Sequence, residues 1–327
     1  MNNSIYYVNF KSYSKEKALK LHKLWNEELG FIFPISDELM QRNTYDTEGF
    51  LEEQSFVAIC NEEPVGFIIN KIWSHKYQLE AYLNTGWISL IYVKKEFRNN
   101  GIGTLLLQKS LDVFKSLGCT KVFLGKDYQN FFPGLPVDLK AHVKWFTNRG
   151  FSGLYDTNDL VNNNLVSKYE LREYLDDTKY KIRLGNKFDL PKIDAFFQKN
   201  FPSRWHVEYL DYVSNGGNGS EYLICLDQFE NVCGFCKIQT FETPINLIGY
   251  SLTWRKRFDR IGGVGPLGVD KDYRHKNIAY NLLVSAINEL IDRNCQKAII
   301  DWTNLMELYR KFGFEIWKSY TYLQFNF

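Results

Sequence analysis

Two stretches of this 327-residue chain have the residue types and spacing to hold an anion. In the first, an apolar run ending at Val93 is followed by four residues and then by Arg98-Asn99-Asn100-Gly101-Ile102-Gly103-Thr104, an Arg-x-x-Gly-x-Gly pattern that reads as the opening of a helix. The first N–H groups of a helix have no intrahelical acceptor and sit at the positive end of its dipole, so phosphate oxygens can accept from them. Gly101 and Gly103 let the backbone come close and take unusual φ, Arg98 adds a charge-assisted contact or braces the loop, and Thr104 can donate its hydroxyl. The second stretch repeats the layout from Val269 through Arg274-His275-Lys276-Asn277-Ile278-Ala279-Tyr280, with Asn277 in the place of Gly101. Asn is the non-glycine residue best able to visit the left-handed region, so the turn is expected to survive, while its side chain crowds the approach of a phosphate. One such turn is equally compatible with a dinucleotide-binding loop or a chance helix start. Two in register are not chance, and neither G-x-G-x-x-G nor Gly-Lys-Ser/Thr is present.

The elements that position these turns also repeat. At an offset of 176 residues, Tyr92–Gly125 falls on Gly268–Asp301 without a break, with Leu106-Leu107 on Leu282-Leu283 and Cys119 on Cys295. Asn148-Arg-Gly150-Phe151 falls on Lys311-Phe-Gly313-Phe314 at an offset of 163, so the first copy carries 13 extra residues. Hydrophobic periodicity predicts, in the first copy, a strand Tyr6–Phe10, a helix Lys15–Glu28, a hairpin Phe56–Cys60 and Val65–Ile72, a strand Trp87–Val93 and a helix Gly103–Ser116. Tyr180–Leu184, Asp189–Lys199, Tyr222–Leu226, Val232–Thr240, Val264–Val269 and Ala279–Asp292 take the same roles in the second. The chain is thus expected to be α/β (mixed α+β) with two domains, 1–175 and 176–327. The boundary is set in the polar stretch Asp156–Asp177, of which Val166–Tyr174 is apolar enough to finish the first domain's last strand. Phe131-Phe-Pro-Gly-Leu-Pro136, within the insertion, reads as a rigid lid or a wedge between domains.

With 45% hydrophobic and 24% charged residues, a net charge of +2, no long apolar run and no basic leader, the chain is expected to be globular and cytoplasmic, with neither membrane nor nucleic acid as partner. A homodimer is compatible with it. Six scattered cysteines suit a reducing compartment. Only Cys233-Gly-Phe-Cys236 has ligand-like spacing, and it lacks a second pair and lies in a strand-like run, so no metal is expected.

The motif after the fourth strand, on Tyr92–Thr104 and Gly268–Tyr280, resembles the GNAT acetyltransferase signature R/Q-x-x-G-x-G/A. With the helix and Gly-Phe tail that follow, the resemblance covers most of the chain as a tandem. It implies two domains, each a mixed, splayed, mainly antiparallel sheet flanked by helices, with acetyl-CoA as cosubstrate threaded between strands four and five. Ile91, Tyr92 and Val93 in one copy and Leu267, Gly268 and Val269 in the other would pair with the pantetheine. Arg98, Asn99, Asn100, Gly101, Ile102, Gly103 and Thr104, and correspondingly Arg274, His275, Lys276, Asn277, Ile278, Ala279 and Tyr280, would surround the phosphates. Many family members place a Tyr shortly before the Gly-Phe pair as proton donor to the departing thiolate. Tyr309 matches it, and Phe146 occupies that place in the first copy, which cannot donate. Asp301, whose counterpart is Gly125, lies at the edge where the family places the acceptor amine, with Trp302 beside it as a substrate contact. There it would hold an ammonium rather than deprotonate one. Asp301 as a helix cap, Tyr309 as a core aromatic, and one copy as a relic without CoA are the structural alternatives. The resemblance therefore implies amine N-acetylation with catalysis in the second copy and acetyl-CoA binding or a structural role for the first. Likeness to tandem glucosaminide acetyltransferases favours an amino sugar such as glucosamine as acceptor. Aminoglycoside or cysteinyl-sugar amines, or a non-enzymatic acetyl-CoA sensor or scaffold, are the alternatives.

Overall fold

The computed structural model describes residues 4–165, 167–170, 175–247 and 253–327. By contacts the chain forms two units, Met1–Asn158 with Tyr250–Arg257 and Lys318–Phe327, and Asp159–Gly249 with Phe258–Trp317. The units do not follow one cut through the sequence: the last ten residues belong to the first unit. Val166 and residues 171–174, read from sequence as the end of a strand, lie outside the described residues.

In the first unit, β1 (Ile5–Asn9), β2 (Phe56–Cys60), β3 (Glu63–Ile72) and β4 (Thr85–Val93) are successively antiparallel, and β5 (Lys121–Leu124) joins β4 in parallel. The short β6 (Leu135–Pro136) follows, and β7 (Ser152–Asn162) passes from the first unit into the second at Asn158. The second unit repeats the pattern: β8 (Lys181–Leu184), β9 (Tyr222–Leu226), β10 (Val232–Gln239) and β11 (Ile261–Val269) are antiparallel, and β12 (Lys297–Thr303) is parallel to β11. The final strand, β13 (Glu315–Asn326), lays Gln324 opposite Phe123 of β5 and Tyr320 opposite Pro136 of β6. Each sheet is therefore mixed and mainly antiparallel.

Of the expected helices, Lys15–Glu28 is two, α1 (Lys15–Ala18) and α2 (His22–Leu29). Between them Lys20, Leu21, Lys23 and Leu24 donate to carbonyls three residues back, a tighter turn that keeps Ala18, Leu21 and Trp25 buried. The long helices are α3 (Ile102–Ser116) and, after α4 (Lys140–Thr147), α5 (Leu190–Asn200) and α6 (Arg204–Ser214), α7 (Ile278–Asp292); the short α8 (Met306–Arg310) comes last. Ile102, Leu106, Leu107, Leu111 and Phe114 of α3, and Ile278, Leu282, Leu283, Ile287 and Leu290 of α7, recur at helical spacing and fill the two cores. Burial of each such side chain contributes about 1.5–3 kcal/mol. These helices approach the strands closely because the strands present glycine. A Cβ on Gly86 would lie 2.4 Å from Phe114, and one on Gly262, 176 positions later, 2.7 Å from Leu290.

Two features of the sheets bear on chemistry. Pairing of β4 with β5 ends at Ile88 and Leu124, and pairing of β11 with β12 ends at Gly263 and Ile299. Beyond these points the remaining residues of β4 and β11 have no strand partner on that side among the described residues. At the same point each strand bulges: Ile69 faces Leu90 but Asn70 faces Ile88, leaving Ser89 extra, and Cys236 faces Leu267 but Ile238 faces Val264, leaving Gly265-Pro266 against Lys237. Ser89 and Gly265 are again 176 apart. Among the described residues no helix is long and apolar enough to cross a membrane.

Candidate active site

The first cleft is a cavity of about 630 Å³, within the range of small-molecule sites. Its walls include the open half of β4 (Ile88–Val93), Arg98, Asn99, Gly101–Thr104 at the start of α3, and Leu124 and Gly125 beyond the divergence. Gly101 caps α3 in the left-handed region at φ 79°, and the first helical bond runs from Leu105 N–H to its carbonyl at 3.0 Å. The N–H groups of Ile102, Gly103 and Thr104 are thus left without an acceptor inside the helix. Of the residues expected here, Asn100 is the one outside the lining; its side chain donates to Phe97 O at 3.3 Å.

Arg98 braces the loop. Its Nε donates to Val93 O at 2.9 Å, and its two terminal nitrogens donate to the Glu28 carboxylate at 2.9 and 2.5 Å. Burial pushes the Glu28 carboxyl up, but the hydrogen bonds from Arg98 and Tyr92 outweigh it and hold the group below its ordinary value. The arginine charge is therefore already balanced. A second cation stands at the same cleft: Arg149 lines the cavity, lies 3.9 Å over the Trp145 ring and donates to Thr104 Oγ1 at 2.9 Å, while its Nε is buried with no hydrogen-bond partner. His142 also lines the cavity, and burial, then the charge of Arg98, keep its pKa low. The inserted Phe132, Gly134, Leu135 and Pro136 form part of the wall, with Phe132 packed 5.6 Å from Trp25 and 5.2 Å from Phe33.

At the inner end of this cleft, Ser89 of the bulge donates to Asp127 Oδ2 at 2.8 Å, and Lys71 Nζ donates to the same oxygen at 2.7 Å. Both charged side chains are buried, at 3% and 1% exposure. Comparison at the fixed offset set Gly125 against Asp301 and so looked two residues short of this carboxylate. Glu28, Arg149 and His142 were missed because they lie far from the motif in sequence.

The second cleft, about 510 Å³, is lined by Leu267, Gly268, Val269, Arg274, His275, Asn277, Ile278, Ala279 and Tyr280, together with Phe201, Trp205, Tyr273, Leu308 and Lys311. Lys276 faces away and donates to Asp272 O at 3.3 Å. Asn277 takes φ 57° and ψ 13°, close to Gly101 at 79° and −9°, and Asn281 N–H closes the first helical bond to it at 3.0 Å. The preceding left-handed positions also match, Asn99 at φ 63° and His275 at φ 62°. A Cβ at Gly101 would meet nothing within 4 Å, so the asparagine side chain occupies open space rather than forcing the turn. Arg274 is exposed and, among the described residues, has no ion pair; no counterpart of Glu28 holds it.

Tyr309, Asp301 and Trp302 do not line this second cavity. Tyr309 is 7% exposed and belongs to the hydrophobic core with Phe312 and Phe314. Burial pushes its phenol well above the ordinary value, with Cys236 and the Asp301 carboxylate acting in the same direction, against a hydrogen bond with Thr303. The hydroxyl hydrogen-bonds with Thr303, two residues along β12 from Asp301, and Cys236 is the strand residue that pairs with Leu267 beside the bulge. Trp302 stands in the left-handed region at φ 53°, a conformation bulky residues rarely hold without a reason. Its N–H donates to the buried Asp159 Oδ1 at 3.0 Å and the Arg204 guanidinium lies 4.5 Å over its ring. All six cysteines are buried thiols, and no three His, Cys, Asp or Glu side chains gather as a metal site among the described residues.

The model of the "Acetyltransferase (GNAT) family" matches the chain twice, at residues 18–132 and 190–314. N-alpha-acetyltransferase 30 of Schizosaccharomyces pombe is 36% identical over 99 residues, which is 30% of this chain and 57% of that protein. A structure described as showing a GCN5-related glucosamine N-acetyltransferase region in a fungal multi-domain GH3 beta-N-acetylglucosaminidase superposes on 99% of the chain with a TM-score of 0.86 at 22% identity, and the match spans 38% of that solved chain. A tandem GNAT protein from the clavulanic acid biosynthesis pathway superposes on 99% of the chain and 98% of its own length, with a TM-score of 0.68 at 10% identity. At these identities the two structures speak to the fold.

Proposed function

Since the chain belongs to the GNAT acetyltransferase family, we propose that it moves an acetyl group from acetyl-CoA directly to a primary amine, with an amino sugar as the favoured acceptor and the second copy as the transfer site. The observation that carries the reading is the coincidence, in both copies at one offset, of an open bulged strand with a left-handed turn that starts a helix. The turn offers unpaired N–H groups to a pyrophosphate, and the open edge offers N–H and C=O groups to an amide-bearing arm. The bulge lies where that arm would end.

Acetyl-CoA supplies an activated acyl carbon. In the second copy, Asp301 holds the acceptor as an ammonium, which gives one proton to solvent. The neutral amine then forms a bond to the thioester carbon, the C–S bond breaks, and the second proton on nitrogen ends on the departing thiolate, so amide and CoA thiol are the products. Tyr309, kept protonated by burial, donates to the developing thiolate. Its raised pKa makes it a weak acid, so its contribution is mainly a hydrogen bond to the charge that develops. The fungal region named for glucosamine shares this fold over 99% of the chain, which is why amino sugars come first among acceptors.

The test is a thiol-release assay with acetyl-CoA against glucosamine, glucosaminides, aminoglycosides, polyamines and amino acids. Release above the no-acceptor rate is expected with an amino sugar. Release with none of the amines would sink the proposal.

A further inference from the structure

The buried polar cluster at the inner end of the first cleft plays no part in transfer at the second copy. Asp127 Oδ2 accepts from Lys71 and Ser89, but its Oδ1 is buried with no hydrogen-bond partner. A carboxylate oxygen left that way loses its hydration without compensation, and such groups in folded proteins call for an occupant. Beside it is a recess of about 20 Å³, lined by Asp127, Lys71, Trp73, His75, Trp87 and Tyr128 among others, large enough for one water-sized group. The Trp73 and Tyr128 rings meet edge to face at 5.5 Å and form part of its aromatic wall. Ser89 also lines the 630 Å³ cavity, so the Ser89–Asp127 hydrogen bond links a wall of that cavity to a wall of the recess.

The fold itself does not require this cluster. In the second copy Gly265 stands for Ser89, and Gln239, which faces Gly263 as Lys71 faces Trp87, stands for Lys71. Thr303 lies at the offset of Asp127. That copy folds without the ion pair, and buried ion pairs are weak contributors to stability compared with apolar replacements.

We propose that the first copy is a second transfer site, in which the recess takes the head of an uncharged primary amine with an N–H donated to Asp127 Oδ1. Among the buried side chains of the recess, Lys71 and Asp127 balance each other, while the exposed Glu48 stands on its wall. An ammonium can thus be drawn to the rim, but the buried end does not favour a further cation and takes the amine form that can attack. This rests on the proposal that acetyl-CoA occupies the first cleft. The amine nitrogen then forms a bond to the acetyl carbon and the C–S bond breaks. Asp127 takes the proton from nitrogen, and the proton is returned to the thiolate, so only acetyl-CoA and amine are consumed and only amide and CoA thiol are made.

The experiment uses the full chain, glucosamine and butylamine as probe amines, and thiol release together with calorimetric titration by acetyl-CoA. Tyr309→Phe/Asp301→Asn is the parent, in which the second copy is disabled. The parent should retain amine-dependent turnover, and adding Lys71→Met/Asp127→Leu, which removes both charges at similar volume, should lower it by about 100-fold or more while the number of bound acetyl-CoA molecules stays the same. Ser89→Ala, which buries no new charge, should lower it in the same direction and carries the test if the double change fails to fold. Bound acetyl-CoA in the first cleft with no turnover by the parent, or turnover untouched by either change in a folded protein, overturns the proposal and leaves the recess a water site. No binding of acetyl-CoA by the parent overturns the cosubstrate reading, and this proposal with it.

Discussion

Arg98 is the motif's own cation, yet its removal is expected to leave acetyl-CoA affinity nearly unchanged, whereas removal of Arg149 weakens it. All three guanidinium nitrogens of Arg98 are used inside the protein, one on Val93 O and two on Glu28. The Arg98–Glu28 pair is about 30% exposed on each side, so it is worth at most about 1 kcal/mol, and the bond to Val93 O adds about 1 kcal/mol. Arg98→Ala should therefore cost about 1–2 kcal/mol of stability and change affinity by no more than about threefold. Arg149 donates from its two terminal nitrogens to Trp145 O and to Thr104 Oγ1 in the first turn of α3, both at 2.9 Å, and among the described residues has no carboxylate to balance its charge. A charge-assisted bond from it to a phosphate is worth about 1.5–3 kcal/mol, or roughly 10- to 150-fold in dissociation constant. Calorimetric titration of each variant with acetyl-CoA and with dephospho-CoA measures both effects and shows which phosphate is held. A tenfold loss in Arg98→Ala with none in Arg149→Ala would refute the reasoning.

Three further outcomes are expected. Gly101→Asn should keep acetyl-CoA affinity within about threefold, because Asn277 already holds that conformation and the space beyond Gly101 is empty, whereas Gly101→Val should cost about 1–2 kcal/mol in a melting experiment; equal behaviour of the two would contradict this. Tyr309→Phe should lower kcat by about 10- to 100-fold with acetyl-CoA KM unchanged, and Asp301→Asn should act mainly on the amine KM; wild-type kinetics in both variants would remove catalysis from the second copy. His22 and His142 are held below the ordinary value of 6.5, chiefly by burial; the folded state thus binds fewer protons than the unfolded one, stability is full above that value and falls as the pH drops from it toward the lowered pKa values, and the urea midpoint should decrease between about pH 7.5 and about pH 5.5.

Much of the fold was legible because the repeat was. The offset of 176 that aligns Val93 with Val269 also aligns the glycines under α3 and α7, the two bulges and the left-handed pair Asn99 and His275. Those are consequences of backbone geometry, which periodicity and turn chemistry encode locally. Membership of the last strand was not legible, since Lys318–Phe327 follows the second copy in sequence and packs with the first unit. The turn that divides α1 from α2 also left no mark, because Leu19-Lys20-Leu21 contains neither glycine nor proline.

The site was less legible than the fold, and the reason is electrostatic. A motif arginine can be read from sequence, but whether its charge is available depends on a partner, and Glu28 is 70 residues away. In the first copy that partner consumes Arg98, and the unspent cation is Arg149. In the second copy the position of Arg149 holds Phe312, and among the described residues Arg274 has no ion pair, so the motif arginine itself stands exposed on the cleft wall to meet a phosphate together with Lys311. Likewise the first copy's carboxylate stands two residues beyond the place where the second copy's stands, and it is paired with the buried Lys71, whereas the buried lysine of the second copy, Lys237, donates to Leu247 O. One backbone plan thus supports two charge arrangements. Residue-by-residue comparison of the copies detects the plan but ranks the sites by identity of motif letters, whereas the chemistry of each follows from which charges are already paired.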